Sequence, residues 1–175
     1  MKVKRNLILI GMPGAGKSTI GVLLAKQMGT AFLDTDILIQ TGEGFYLQEL
    51  ISSRGISGFR EIEETYLIGV PADCGVVATG GSAVYSAKAM THLKSLGPVV
   101  YLQIALEPLK ARLGNLSERG VLRMPGQTID MLYEERCPLY ETYADIIIPT
   151  DGMTADQVVS RVLRASHQSS CGLKP

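Results

Sequence analysis

Short apolar runs alternate with longer amphipathic stretches along the chain, and glycine or proline marks most of the changes. Asn6 to Ile10 is an apolar run ending in a glycine cluster, the pattern of a strand buried on both faces. Lys17 to Met28 predicts a helix, with Ile20, Leu23, Leu24 and Gln27 along one face and Gly29 as its stop. Ala31 to Leu33 reads as a second, very short strand. Ser57 to Val70 predicts a helix with a serine N-cap, a charged outer face and Pro71 just beyond its end. The β-branched runs Gly75 to Thr79 and Pro98 to Ile104 predict strands, separated by a helix beginning near Ser86. Helices follow at Glu107 to Leu113 and Thr128 to Tyr143, with a polar, glycine-containing segment between them. Asp145 to Ile148 is a fifth strand. Thr154 to Arg164 is a last helix, opened by a Thr154–Gln157 capping box, and residues 166–175 are expected to fray.

Strands alternating with helices imply an α/β fold of three layers, α/β/α, around a five-stranded parallel sheet covered on both faces. No internal repeat, low-complexity tract or linker divides residues 1–175, so one domain is expected. In such sheets ligands bind beyond the carboxyl ends of the strands. The segments just after each strand are therefore where the chemistry belongs.

Composition changes this picture only by exclusion. Apolar residues make up 46% of the chain and charged residues 19%, which suits a packed core and argues against disorder. Seventeen Lys+Arg balance seventeen Asp+Glu, so the basic excess of a nucleic-acid binder is missing and no nucleic-acid partner is expected. No apolar run reaches the length of a membrane span, so no membrane partner is expected either. Leu7 to Ile10, behind Lys2, Lys4 and Arg5, is too short for a signal-peptide core. Cys74, Cys137 and Cys171 are odd in number and far apart, and fit neither a metal site nor a disulfide framework. A reducing compartment, the cytoplasm, is expected, with the Cys74 and Cys137 thiols buried and inert. No long exposed apolar stripe is evident, which predicts a monomer.

The first segment after a strand runs Gly11-Met12-Pro13-Gly14-Ala15-Gly16-Lys17-Ser18-Thr19 and matches the phosphate-loop pattern G-x-x-x-x-G-K-S/T in full. Glycines let the backbone curl so that successive N–H groups face one concavity, and the helix that follows adds its positive end. Lys17 can reach the β- and γ-phosphates of a nucleoside triphosphate, and the Ser18 hydroxyl can hold Mg²⁺. The second segment, Leu33-Asp34-Thr35-Asp36, carries two carboxylates. Asp34 can support Mg²⁺ through water and Asp36 can accept a proton or hydrogen bond from an attacking hydroxyl; the alternative is an N-capping pair that starts the next helix. The third, Ala78-Thr79-Gly80-Gly81-Ser82, offers close backbone approach to a ligand or simply a tight turn. Arg60, Arg119, Arg123 and Arg136 lie in charged segments, where a single arginine is most often a solvated surface residue.

Taken in order and spacing, the phosphate loop, Leu-Asp-Thr-Asp, Gly-Phe-Arg-x-x-Glu-Glu, Ala-Thr-Gly-Gly and Glu-Arg-x-Pro-Leu-Tyr resemble the shikimate kinases from about Leu7 to Leu163. The resemblance implies a P-loop kinase of the nucleoside monophosphate kinase type, with a mobile lid at about residues 114–127. It implies ATP and Mg²⁺ as cofactors and transfer of the γ-phosphoryl group to the 3-hydroxyl of shikimate. Gly14, Ala15, Gly16, Lys17, Ser18 and Thr19 would hold ATP, with Arg112 beside the adenine ring and Ser18 and Asp34 toward Mg²⁺. Asp36, Arg60 and Arg136 would bind shikimate, the two arginines clamping its carboxylate, while Gly80 and Gly81 offer backbone contacts. Glu63 would hold Arg60 or Arg136 in place. Lys17, Asp36 and the lid arginine, Arg119 with Arg123 as its competitor, would carry the catalysis.

Two positions depart from the family pattern. Ser82 stands where a third glycine is usual, and the lid reads Arg119-Gly120-Val121-Leu122-Arg123-Met124-Pro125 in place of Arg-Pro-Leu-Leu. Both bear on the acceptor, so a same-fold kinase of quinate, gluconate or homoserine is the nearest alternative. A non-catalytic ATP-binding regulatory module is the alternative of another class, disfavoured because Lys17, Ser18, Asp34 and Asp36 are all present. A GTPase is disfavoured by the missing Asn-Lys-x-Asp run. His92 and His167 show no partner, and Tyr101, Tyr133, Tyr140 and Tyr143 are expected to pack helices.

Overall fold

The computed structural model describes residues 6–113, 123–124 and 126–171. Five strands, β1 (Leu7–Ile10), β2 (Phe32–Asp34), β3 (Val76–Ala78), β4 (Val99–Gln103) and β5 (Ile146–Pro149), form one sheet in the order β2-β3-β1-β4-β5. Every neighbouring pair is parallel. Seven α-helices among the described residues cover it: α1 (Lys17–Met28), α2 (Thr35–Glu43), α3 (Leu47–Ile68), α4 (Ala87–Leu96), α5 (Leu106–Leu113), α6 (Ile129–Tyr143) and α7 (Ala155–Cys171). The fold is the three-layer α/β/α arrangement that the alternating pattern implies.

Strand side chains alternate between the faces, so β1 feeds two cores. Ile8 and Ile10 join Val77, Val99 and Tyr101 under α4 and α6, while Leu7 and Leu9 join Val76, Val100 and Leu102 under α1 and α7. A smaller cluster of Ile39, Leu50 and Phe59 fastens α2 to α3. Because β1 is central, with β3 on one side and β4 on the other, the chain changes direction across the sheet there. A crevice opens at such a switch point, at the carboxyl ends of the strands.

Local chemistry accounts for most boundaries. Gly29 adopts the left-handed conformation (φ 62°) that ends α1, Ser86 Oγ accepts from Ala89 N at 3.0 Å to cap α4, and Thr128 Oγ1 caps α6. The Thr154–Gln157 box forms in both directions, at 2.9 and 3.3 Å. Five points differ from the sequence pattern. Helix α2 starts directly from β2, and α3 begins at Leu47 rather than at Ser57; Gly55, at φ 67° and ψ 179°, breaks α3 and lets it resume. Helix α7 continues to Cys171, through the start of the stretch expected to fray, with Ser166 Oγ satisfied on Val162 O at 2.6 Å. Cys74 and Cys137 are half-buried rather than buried, and burial raises both thiol pKa values. His92 has a partner after all, its Nε2 lying 2.9 Å from the Val70 carbonyl oxygen. Among the described residues no helix is long and apolar enough to cross a membrane.

Candidate active site

The loop between β1 and α1 is built from backbone that needs glycine. Gly11, Gly14 and Gly16 all have positive φ (145°, 80° and 94°), and Ala15 N closes the turn on Met12 O at 3.1 Å. Gly16 is the N-cap of α1 and brings no side-chain hydrogen bond to it, so the first N–H groups of the helix are left for a ligand. Ser18 and Thr19 are exposed at this end, whereas Lys17 is buried. Lys17 Nζ donates to Gly11 O at 2.8 Å and Met12 O at 3.0 Å. Burial lowers its pKa to about 8, against the opposing pull of Asp36 and Asp34.

The capping reading of Asp34 holds, and its second oxygen reaches the phosphate loop. Its Oδ1 accepts from Asp36 N at 3.0 Å and Ile37 N at 3.4 Å, capping α2, while its Oδ2 accepts from the Ser18 hydroxyl at 2.6 Å. The strand end is thereby tied to the phosphate loop. Asp36, half-buried in the first turn of α2, has its pKa raised to about 6, chiefly by burial and then by the charge of Asp34.

After β3, Thr35 holds the glycine pair in place: its Oγ1 accepts from Gly80 N at 3.1 Å. A Cβ on Gly80 would stand 2.5 Å from Glu63 Oε1 and 2.7 Å from Asp36 Oδ1. A Cβ on Gly81 would stand 2.8 Å from Pro13 Cδ and 3.0 Å from Arg136 Nη1. The glycines are thus the meeting point of phosphate loop, α2, α3 and α6. Glu63 is buried, and burial raises its pKa to about 7; a hydrogen bond from Ser82 and the charges of Arg136 and Arg60 pull the other way. Its Oε1 has no hydrogen-bond partner among the described residues. Ser82, the residue in place of a third glycine, is buried and turned to Glu63.

Arg136 reaches this point because Leu132, Arg136 and Tyr140 recur at four-residue spacing on the buried face of α6. Tyr140 does more than pack: it stacks on Tyr101 at 5.1 Å and its hydroxyl donates to Gly81 O at 2.6 Å. Arg60 comes from the second half of α3. Both guanidiniums meet at Tyr85, Arg60 Cζ 4.0 Å and Arg136 Cζ 5.2 Å from the ring centroid. Tyr85, Thr35 and Pro13 are the site residues that sequence reasoning passed over. Tyr85 follows the glycines in a single-turn 3₁₀ helix, Ala83–Tyr85, whose direction no periodicity reveals.

The remaining candidates are more peripheral. Arg112 is exposed on α5, whose Leu109 and Leu113 pack on the phosphate loop at Gly14. Arg119 lies outside the described residues, as does most of the expected lid at 114–127. Arg123 is described and exposed.

A phosphate loop at the switch point of a parallel sheet, facing an arginine-lined recess, places the chain among the ATP-dependent P-loop kinases. The family model described as Shikimate kinase matches residues 13–167, and the chain belongs to the shikimate kinase family. The shikimate kinase of Vibrio parahaemolyticus serotype O3:K6 is 38% identical over 167 residues, 94% of this chain and 97% of that one. The shikimate kinase of Thermodesulfovibrio yellowstonii is 34% identical over 171 residues, 96% and 98% of the two chains. Among solved structures, shikimate kinase from Acinetobacter baumannii in complex with shikimate has a TM-score of 0.85 at 32% identity, covering 97% of this chain and 96% of that one. Shikimate kinase from Aquifex aeolicus follows at 0.81 and 29%, covering 96% and 99%.

Proposed function

We propose that this chain transfers the γ-phosphoryl group of ATP to the 3-hydroxyl of shikimate, with the residues gathered around Gly80 and Gly81 as its machinery. The observation that carries the reading is Gly81, where a single Cβ would meet both Pro13 Cδ of the phosphate loop, at 2.8 Å, and Arg136 Nη1, at 3.0 Å. Nucleotide and acceptor sites therefore adjoin across one residue without a side chain.

The acceptor carboxylate lies between Arg60 and Arg136, whose planar forks match a carboxylate bidentately. Asp36 holds the hydroxyl that attacks. Backbone N–H groups of residues 14–19 hold the phosphates, Lys17 exchanges its two loop carbonyls for phosphate oxygens, and Arg112 flanks the adenine. The hydroxyl oxygen forms the new P–O bond as the bond to the bridging β,γ oxygen breaks; ADP takes that electron pair, and the hydroxyl proton passes to Asp36 or to solvent. The transition state is loose, so catalysis is positioning and charge neutralisation by Lys17 and a lid arginine, Arg119 or Arg123.

Ser18 Oγ and Asp34 Oδ2, 2.6 Å apart beside the loop, are hard oxygens of the kind Mg²⁺ takes when phosphate and water complete its shell. When bound, Mg²⁺ supplies neutralisation of charge on the β- and γ-phosphate oxygens. Release of ADP from Mg·ATP with shikimate, quinate, gluconate or homoserine as acceptor tests the assignment. Saturable release with shikimate well above the acceptor-free rate is expected. A response to another hydroxy acid and none to shikimate would transfer the mechanism to that acceptor, with Ser82 as the residue that selects it.

A further inference from the structure

We propose that Tyr85 is a positioning residue that sets Arg60 and Arg136 for the acceptor carboxylate; the inference rests on the clamp reading above and deepens it. Two guanidiniums converging on one carboxylate repel each other until it arrives. An aromatic face is electron-rich, so a ring set against both lowers the cost of holding them together. Arg60 Cζ lies 4.0 Å and Arg136 Cζ 5.2 Å from the Tyr85 ring centroid.

The hydroxyl fixes the ring. It accepts from Arg136 Nε at 3.1 Å and donates to Glu135 Oε1 at 2.6 Å. Glu135 is held in turn, its Oε2 accepting from Gln127 Nε2 at 2.6 Å. Tyr85 therefore touches Arg136 through an oriented hydrogen bond and Arg60 through its face.

The same ring walls a cavity of about 170 Å³, bordered also by Arg60, Glu61, Glu63, Glu64 and Ser82. Three glutamates thus border the cavity beside Arg60, whose buried Nε has no hydrogen-bond partner among the described residues. With a small aliphatic side chain at position 85, Arg60 gains room to turn onto those glutamates instead of the acceptor. Tyr85 keeps the fork available.

Calorimetric titration of the full chain with shikimate and with its methyl ester separates this role from simple packing, because the ester lacks the charge that the clamp reads. Tyr85→Leu is expected to weaken shikimate about tenfold and the ester less than about twofold. Tyr85→Phe keeps the ring and is expected to recover most of the loss, remaining within about threefold of the parent. Arg136→Lys serves as the reference and is expected to weaken shikimate strongly. Unchanged shikimate affinity in Tyr85→Leu beside a weakened Arg136→Lys overturns the role of Tyr85 and leaves the clamp standing. Equal weakening of acid and ester by Tyr85→Leu overturns it too, as a packing effect. Unchanged affinity in Arg136→Lys removes the clamp, and the inference with it. If Tyr85→Leu does not fold, Tyr85→Met, which also lacks the aromatic face, takes its place in the same acid–ester comparison: a loss confined to the acid supports the role, and no loss overturns it.

Discussion

A Cβ placed on Gly80 would stand 2.7 Å from Asp36 Oδ1, so glycine and carboxylate share a space that no side chain can enter. The neighbouring Glu63 Oε1 would be closer still, at 2.5 Å. Gly80 is not among the glycines with positive φ, so its requirement is one of space and not of backbone conformation. Gly80→Ala is therefore expected to fold and to push Asp36 aside. Because a shift of about 1 Å at a reacting group costs on the order of a hundredfold, kcat/KM for shikimate should fall by tenfold or more. Circular dichroism and ATP affinity should stay near the parent values; an alanine variant of full activity would refute the placement of Asp36.

Arg136 is buried beside Gly81 and Tyr85. Lysine offers a point charge where the site is shaped for a fork. Arg136→Lys should raise the acceptor KM by about tenfold or more and leave the KM for ATP within about twofold. Steady-state kinetics with each substrate varied in turn reads both numbers, and an unaltered acceptor KM takes Arg136 out of the site.

Two titrations should frame the pH profile. Asp36 must be ionised to receive the hydroxyl, and with its pKa raised to about 6 the value of kcat/KM for shikimate should drop as pH falls through that region. Lys17 must be charged to hold phosphate, and with its pKa lowered to about 8 in the free protein, kcat/KM for ATP should drop as pH rises through it. The sign for stability follows from the same shift. The folded state holds the Asp36 proton more tightly than the unfolded chain does, so stability is lost as pH climbs from the ordinary 3.8 toward about 6. Asp36→Asn, inactive, should accordingly be more stable than the parent at neutral pH by about 1–2 kcal/mol. Chemical denaturation at pH 5 and pH 8 checks this, and a variant less stable at both would contradict it.

Asp34 caps α2 with one oxygen and holds Ser18 with the other. Asp34→Asn keeps an oxygen for the cap and loses the charge that attracts a cation, so stability should change by less than about 0.5 kcal/mol. The Mg²⁺ concentration for half-maximal activity should rise by about tenfold. An unchanged Mg²⁺ requirement places the ion elsewhere.

The legible parts of this chain were those whose signal is local. Gly29 ends α1 because left-handed backbone at that point requires glycine, and the phosphate loop announces itself through residue types that no ordinary turn needs. Helix α2 was hidden because Asp34, its cap, also ends a strand, and because Gly42 and Gly44 dilute the helical pattern. The start of α3 was hidden by Gly55, which reads as a terminus and acts as a joint. At the candidate site, the order of motifs picked out Asp36, Gly80, Gly81, Arg60 and Arg136, which the fold brings together, but Thr35, Pro13 and Tyr85 enter only through contacts across elements far apart in sequence. Tyr140 looked like helix packing and is also the donor that fixes Gly81. Such roles are set by tertiary approach, which no single-chain pattern records.

The most direct test of the central claim is the identity of the product. Phosphorus–proton correlation NMR on the reaction of Mg·ATP with shikimate should show ADP and one new phosphomonoester whose phosphorus couples to the proton on C3 of the shikimate ring. Inorganic phosphate alone, or a phosphomonoester coupled to another ring proton, would contradict the account.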